Sequence, residues 1–430
     1  MKRLLSVLCS AALLLSAFTG CAGSGNSGSS GSAASGNPSA STGKTTITIM
    51  QSKTEIQGDL QKVVDDYNST QSDTTVKLLG TSGDNYPTVL QSQFSASPDK
   101  APTIFTISGP DAAKFNRFMA PLDSSKAAGL LRDEFKSDVT VDGKLCGLPM
   151  AVEGYGFIYN KDLFKKAGVD ATSLTSMDTF VDACKKLKSV SGVAAPIAFS
   201  KENYFIFIHF FNWGPAVSSN YKDQIQQLDA GKTKLNEIPS VAQWAKDLDA
   251  IKPYTNKAVD SYDDQVSGFA NGKYAMIHQG DWVQTMLDQD KVSFSYGLMP
   301  YPTGGNTKLA VGLANAWRVN KMASDQQQQA AIRFLDWLLT SEKGQSYCAD
   351  TFKFIPACKG MKSPAAGLGK DVADYVQKDQ TVPWVFNTAF PNGIDVDGAA
   401  LMQKYYAGAI NSSQLLDQLT QAWVQDAAKK

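Results

Sequence analysis

The order of apolar and polar positions along the chain predicts strands and helices in alternation. Thr45-Thr46-Ile47-Thr48-Ile49-Met50 alternates with a period of two and is rich in β-branched residues, so it reads as a strand. Asp59 to Tyr67 carries Leu60, Val63, Val64 and Tyr67 at helical spacing. Thr75 to Leu79 reads as the next strand, Val89 to Phe94 as a helix, and Thr103 to Ile107 as a strand that stops at Ser108-Gly109-Pro110. This β-α-β-α-β order predicts a doubly wound α/β sheet with helices on both faces. Ligands of such sheets sit off the carboxyl ends of the strands. That rule puts Gln51 to Glu55 and Ser108 to Asp111 on a binding edge, with Lys53 and Asp111 as its charged candidates.

The pattern continues beyond. Ala151 to Asn160 is an extended run, followed by a helix from Lys161 to Ala167 that Gly168 stops. Met177 to Leu187 places Phe180, Val181, Cys184 and Leu187 on one helical face. Pro196 to Phe199 and Gly272 to Ile277 read as strands, and the second leads through Gly280-Asp281-Trp282 into a helix. Tyr204 to Trp213 is unusually aromatic. Gln327 to Leu339 and Leu415 to Val424 are amphipathic helices.

The first 43 residues follow a different logic. Lys2 and Arg3 precede an apolar run from Leu4 to Phe18, too short to span a bilayer but suited to a secretion signal. Phe18-Thr19-Gly20-Cys21 resembles the lipobox of bacterial lipoproteins, with Phe18 in place of the usual Leu. Residues 1–20 are then a lipoprotein signal peptide and Cys21 the lipidated residue; the alternative is an ordinary secretory signal with a chance cysteine. Residues 22–43 are mostly Ser and Gly, without charges or aromatic rings, so they cannot bury enough surface to order themselves. A tether of that composition has a typical reach of about 25 Å.

Composition narrows the function. Basic and acidic residues number 41 each, so the chain has no electrostatic footprint for nucleic acid or an anionic membrane surface. Two histidines argue against a His-rich metal centre or a His-based hydrolase, and no cofactor is expected. Cys146, Cys184, Cys348 and Cys358 form no C-x-x-C pair, which removes zinc-ribbon and redox-motif readings. Cys348 and Cys358 would close a short loop and are the candidate disulfide; four buried free thiols are the alternative.

Three ordered motifs carry a resemblance to a family. Gly147-Leu148-Pro149, Glu153 and Tyr159-Asn160-Lys161-Asp162-Leu163-Phe164-Lys165-Lys166-Ala167-Gly168 form the first. Gly272-Lys273-Tyr274-Ala275-Met276 with Gly280-Asp281-Trp282 forms the second. Phe334-Leu335-Asp336-Trp337-Leu338-Leu339-Thr340-Ser341-Glu342, Gly344-Gln345 and Ile355-Pro356-Ala357 form the third. Together they resemble the family 1 extracellular solute-binding proteins of carbohydrate ABC importers, maltose-binding-protein-like lipoproteins. The resemblance implies a two-lobed, periplasmic-binding-protein-like (class II) α/β fold with a ligand cleft between the lobes. It implies three chain crossings, expected near Val152–Gly154, Val311–Asn315 and Cys358–Ser363. Residues 44–152 plus 315–360 would form the N-terminal lobe, and 153–314 plus 361–430 the C-terminal lobe. The implied partners are a mono- or oligosaccharide and the permease subunits; the protein would be a monomer, extracytoplasmic, and held to the cell membrane by its lipid alone.

A sugar presents apolar C–H faces to aromatic rings and hydroxyls that need partners once buried. Trp282, after a strand and a Gly turn, is the foremost candidate, as the family carries a stacking ring there; a core ring is its alternative. Asp281 either accepts sugar hydroxyls or caps the next helix. Glu153 sits in an apolar run at the first crossing, where a carboxylate needs a polar cleft, with a structural role between the lobes as its alternative; Tyr155 points to the same side, with a core position as its alternative. Glu202 and Tyr204 match the family's Glu-x-Tyr binding loop. Trp213, Trp317 and Trp384 complete the candidates, each with a core position as its alternative, while His209 is expected to pack in its helix. Two other functions remain open: a binding protein for a non-carbohydrate solute, and a secreted glycoside hydrolase using two of Glu153, Glu202 and Asp281.

Overall fold

Three short parallel strands begin the fold: β1 (Thr45–Met50), flanked by β2 (Thr74–Leu78) and β3 (Ile104–Thr106). The computed structural model describes residues 43–80, 85–258 and 260–429. The leader, Cys21 and nearly all of the Gly/Ser segment lie outside the described residues. A small hairpin of β4 (Thr140–Val141) and β5 (Lys144–Leu145) precedes the longest strand, β6 (Leu148–Asn160). Then come β7 (Ala195–Ala198), β8 (Tyr274–Gly280), β9 (Tyr296–Met299), β10 (Leu309–Val319) and β11 (Thr381–Pro383).

All but the hairpin belong to one nine-stranded sheet in the order β2-β1-β3-β10-β6-β8-β7, with β11 beside β10 and β9 beside β6. Its middle pair is antiparallel and long. The first half of β6 pairs with nearly the whole of β10, from Leu148 opposite Trp317 to Tyr155 opposite Ala310, and the second half of β6 pairs with β8 and β9. The second half of β10 also pairs with β3. Two strands thus run through both halves of the molecule. The register between them slips on both sides of Asn315. Such a bulge bends a strand and re-aims a side chain. Ile355 lies against the same place, its carbonyl accepting the Val152 N–H at 2.8 Å.

Side-chain burial follows this division. On one side, Leu60, Val63 and Val64 of the helix Gln57–Thr70 and Phe334, Leu335 and Leu338 of the helix Asp325–Thr340 pack with Ile47, Ile49 and Val319 of the sheet. On the other, Trp213, Trp244 and Trp423 pack with Phe157, Ile277 and Phe211. The helical faces read from spacing are the buried ones. The aromatic run does something spacing could not foretell. Tyr204–His209 winds as a wide π-turn before the regular helix Phe210–Ala216.

The candidate disulfide is absent, and the alternative of four buried free thiols is the one found. Cys348 and Cys358 are free thiols, as are Cys146 and Cys184, and all four are buried. Cys348 Sγ donates to the Leu338 carbonyl at 3.8 Å and Cys358 Sγ to the Ala127 carbonyl at 3.7 Å, so each sulfur is held by a different element. Burial pushes the Cys348 thiol up to about 12 and the Cys358 thiol up to about 11, which suppresses the thiolate that oxidation requires. A chain beginning at Lys44 should therefore yield four thiols when alkylated in denaturant without reductant. Two thiols under those conditions would restore the disulfide.

Candidate functional site

A cavity of about 410 Å³ opens where the two halves of the sheet meet. Its first wall is built by the carboxyl ends of β1 and β3, as the alternation of strands and helices predicted. Ser52 and Ser108 leave those strand ends and are tied together by Asn315 of the bulge. Asn315 Nδ2 donates to Ser52 Oγ at 2.8 Å, and Ser108 Oγ donates to Asn315 Oδ1 at 2.9 Å. Next along the chain, the Lys53 ammonium lies 3.0 Å from a Glu55 oxygen and 2.8 Å from Glu153 Oε1. Burial pulls the Lys53 pKa down, but the charges of Glu153 and Glu55 more than reverse this, so the ammonium titrates above the ordinary lysine value. Burial lifts the Glu153 carboxyl above its usual range, against the pull of Lys53.

The opposite wall is aromatic. Trp282 is 8% exposed, and its indole N–H donates to Gln279 Oε1 at 2.9 Å. Gln279 in turn donates to Gln265 at 2.7 Å, and Gln265 to the Ala198 carbonyl at 2.7 Å, so a fully buried chain of amides fixes the ring. The Gly280 that precedes it is required. A Cβ there would stand 2.1 Å from the Trp282 ring, which folds back over the strand end. The Lys53 ammonium lies 5.8 Å from the centre of that ring. Trp384 sits edge-on to Trp282 at 6.4 Å and stacks on Phe386 at 5.2 Å. It crosses β10 at Gly312, where a Cβ would meet it at 2.5 Å. The π-turn turns Tyr204, Phe205 and His209 to the cavity while Ile206, Phe207 and Ile208 face the core. Burial, aided by His278 and Lys53, holds His209 well below its usual pKa, so the ring is a neutral part of this wall at pH 7.

Of the sequence-derived candidates, Lys53, Asp111, Glu153, Glu202, Tyr204, Trp282 and Trp384 line the cavity. Four others do not. Asp281 is 2% exposed and sits behind the wall, where its Oδ1 accepts the Gly154 N–H at 2.9 Å and so pins β6 beside Glu153. Burial, and then the Glu153 charge, raise its pKa well above the usual range. Tyr155 is fully buried and supports the wall by stacking on His209 at 4.7 Å. Trp213 is fully buried, donating to His278 Nε2 at 3.1 Å; His278, pushed down to about 3 by burial, stays neutral and accepts that bond. Trp317 is 1% exposed in the other core, on β10 against β3.

Sequence reasoning also missed lining residues. Spacing alone packs His209 into its helix, because a π-turn has no signature in the apolar pattern. Tyr262 opens the helix Tyr262–Ala270 in a polar turn, Ser261-Tyr262-Asp263-Asp264; an aromatic ring in such a turn was the available signal. Asn315 fell within an expected crossing, but only the bulge shows that its amide serves the cleft.

Among the described residues, three buried polar atoms on the lining have neither a hydrogen bond nor an ion pair: Glu202 Oε2, the Tyr262 hydroxyl and the Trp384 indole N–H. Glu202 Oε1, by contrast, accepts the Tyr262 N–H at 2.9 Å. Leaving such groups unpaired is unfavourable by about 1–3 kcal/mol each. Aromatic faces interleaved with unpaired donors and acceptors suit a polyhydroxylated ligand.

Comparison with known proteins accords with this geometry. The family model of bacterial extracellular solute-binding proteins matches residues 62–380. The maltodextrin-binding protein MdxE of Bacillus subtilis (strain 168) is 26% identical over 254 residues, 57% of this chain and 58% of that protein. The solute-binding lipoprotein of a maltooligosaccharide ABC transporter from Streptococcus pneumoniae (strain R6) is 26% identical over 251 residues, 57% of each chain. The chain thus spans about half the length of the curated relatives it matches. A solved chitin oligosaccharide binding protein superposes with a TM-score of 0.75 at 24% identity, covering 90% of this chain and 99% of that one. That likeness is one of fold, the two-lobed periplasmic-binding-protein fold. A match over most of the sequence and a cleft between two lobes lead to one conclusion: the chain belongs to the bacterial extracellular solute-binding proteins.

Proposed function

We propose that this protein captures a sugar or oligosaccharide in the cleft and delivers it to the permease subunits of an ABC importer. One observation carries the reading: the cleft sets Trp282 and Trp384 beside buried polar atoms that lack partners. A pyranose would lay a C–H face on the rings and offer its hydroxyls to Glu202, Tyr262 and Trp384. Glu153, Tyr204, Lys53 and Asp111 supply further polar contacts. The relatives' names, which specify maltodextrin and maltooligosaccharide, support the same ligand class. In this reading residues 44–152 plus 315–360 are one lobe and 153–314 plus 361–430 the other, with β6 and β10 as the hinge. Lobe closure would exclude water from the bound sugar.

We also propose that Cys21 is lipidated and that the Gly/Ser segment keeps the lobes near their permease. A relative named as a lipoprotein supports this, and no helix among the described residues is long and apolar enough to cross a membrane. Cys21→Ala should release the protein from membranes into the medium or wash. Retention of that variant after salt and carbonate washing would refute the anchor.

Trp282 tests the sugar reading itself. Its ring is buried except for the part that faces the cavity, so Trp282→Ala removes a stacking surface and some core packing together. Sugar affinity in the folded variant should fall by about 2 kcal/mol or more, roughly 30-fold in Kd. The check is calorimetric titration of the folded variant beside its thermal unfolding curve. A lowered melting temperature with unchanged affinity would make Trp282 a core residue and remove the best single support for a sugar. Release of reducing ends from the titrated oligosaccharide would show a hydrolase instead.

A further inference from the structure

The formal charges on the cavity lining do not balance. Among the described residues six carboxylates reach it, those of Glu55, Asp111, Glu153, Glu202, Asp263 and Asp395, against one ammonium, that of Lys53. His209 adds no charge, because burial keeps it neutral. Lys53 is shared between Glu55 and Glu153, and Asp111 is paired with Lys114, which does not line the cavity. Glu202, Asp263 and Asp395 have no ion-pair partner among the described residues. Burial raises the Asp395 pKa, and the Asp111 charge across the cleft raises it further, so like charges are crowded at this end of the cavity.

Two groups at the site call for a ligand independently of this charge. Trp384 is 6% exposed, lines the cavity and leaves its indole N–H without an acceptor. Glu202 Oε2 is a buried carboxylate oxygen with no donor. A sugar hydroxyl could satisfy the hydrogen-bonding capacity of either group. It would leave the surplus negative charge untouched, whereas an ammonium group would meet both needs of Glu202, because charge-assisted hydrogen bonds are the stronger kind. A uronate or phosphorylated sugar would add to the repulsion, with Lys53 already committed to two carboxylates.

Resting on the sugar reading above, we propose that the preferred ligand is an amine-bearing sugar, a cationic hexosamine or an oligosaccharide containing one, and that acidic sugars are excluded. The ring stacks on the aromatic wall, a sugar oxygen accepts the Trp384 N–H, and the ammonium donates to Glu202 Oε2.

The test is calorimetric titration of the full chain with four disaccharides: glucosamine, N-acetylglucosamine, glucose and a hexuronate. The glucosamine disaccharide should bind about tenfold tighter than its two neutral counterparts, or 1.4 kcal/mol, and the hexuronate should not bind. The preference for the amine should shrink as salt is raised toward about 1 M. Glu202→Gln keeps the acceptor that holds the Tyr262 N–H and removes the charge. It should bring amine and hydroxyl sugars to equal affinity, with thermal unfolding used to confirm that the variant is folded. Asp395→Asn, at another carboxylate of the lining, provides a second charge-removing variant with the same expected direction. Neutral sugars binding as tightly as the amine, or the hexuronate binding at all, would overturn this inference and leave sugar capture standing. If none of a wider set of neutral and amine sugars binds, the sugar reading falls and this one with it. A diamine without a ring binding as tightly as the glucosamine disaccharide would also overturn both.

Discussion

The antiparallel pairing of β6 with β10 is the constraint on which the rest of the structure depends. These two strands contribute to both hydrophobic cores, so one ladder of backbone hydrogen bonds runs from Leu148–Trp317 to Tyr155–Ala310 between them. A polypeptide crossing between two cores must satisfy its N–H and C=O groups somewhere. Here each crossing strand satisfies the other, and the bulge at Asn315 is a place where the ladder is already interrupted. A bend at this place would expose no unpaired backbone to an apolar surface. The pairing also places side chains of the crossing strands at the floor of the cleft, where Glu153 and Asn315 are found.

Side chains hold the floor of the cleft as well. Asp281 holds the Gly154 N–H from behind, beside Glu153, and Lys53 holds Glu153 from the front. Breaking a buried ion pair by removing one partner is far more harmful than replacing both, so this charge centre acts as a unit. The amide chain from Ala198 through Gln265 and Gln279 does for Trp282 what the charges do for Glu153. Side chains ordered before the ligand arrives lose less freedom on binding, and this is a principal source of affinity at small sites.

Most of the fold was legible because it rests on periodicity. The strand at 45–50, the helix at 59–67 and the helix at 327–339 bury the faces that their spacing selects, and the binding edge after β1 and β3 follows from sheet topology alone. The lining of the cavity was legible where one residue type has few other uses in its place: Trp282 behind a Gly turn, and Glu153 inside an apolar run. It was not legible where a residue's role depends on what packs behind it. Asp281 and Tyr155 neighbour the site in sequence but stand on the far side of its wall. Trp213 and Trp317 have the chemistry of a stacking ring and the burial of core residues. The π-turn and the bulge each alter the direction of side chains without altering the apolar pattern, so His209 and Asn315 could not be assigned from sequence. The free thiols of Cys348 and Cys358 teach the same lesson, since ten residues of separation along the chain says nothing about which carbonyl each sulfur faces.

The unpaired polar atoms in the cleft connect stability to function. A core would not keep Glu202 Oε2, the Tyr262 hydroxyl and the Trp384 N–H without partners, because each unpaired group lowers the stability of the folded chain. A binding protein can keep them when the ligand completes the set. The free energy withheld from the empty protein is then returned on binding, and ligand at 100 times its Kd adds about 2.7 kcal/mol to stability. The arrangement also favours selectivity over raw strength. A ligand that lacks one hydroxyl leaves a buried group unpaired in the closed cleft, and rejection of that kind is much sharper than rejection by apolar fit. In the proposed reading, the aromatic wall sets what class of molecule can enter, while the unpaired atoms and the surplus of carboxylates decide which member of the class stays.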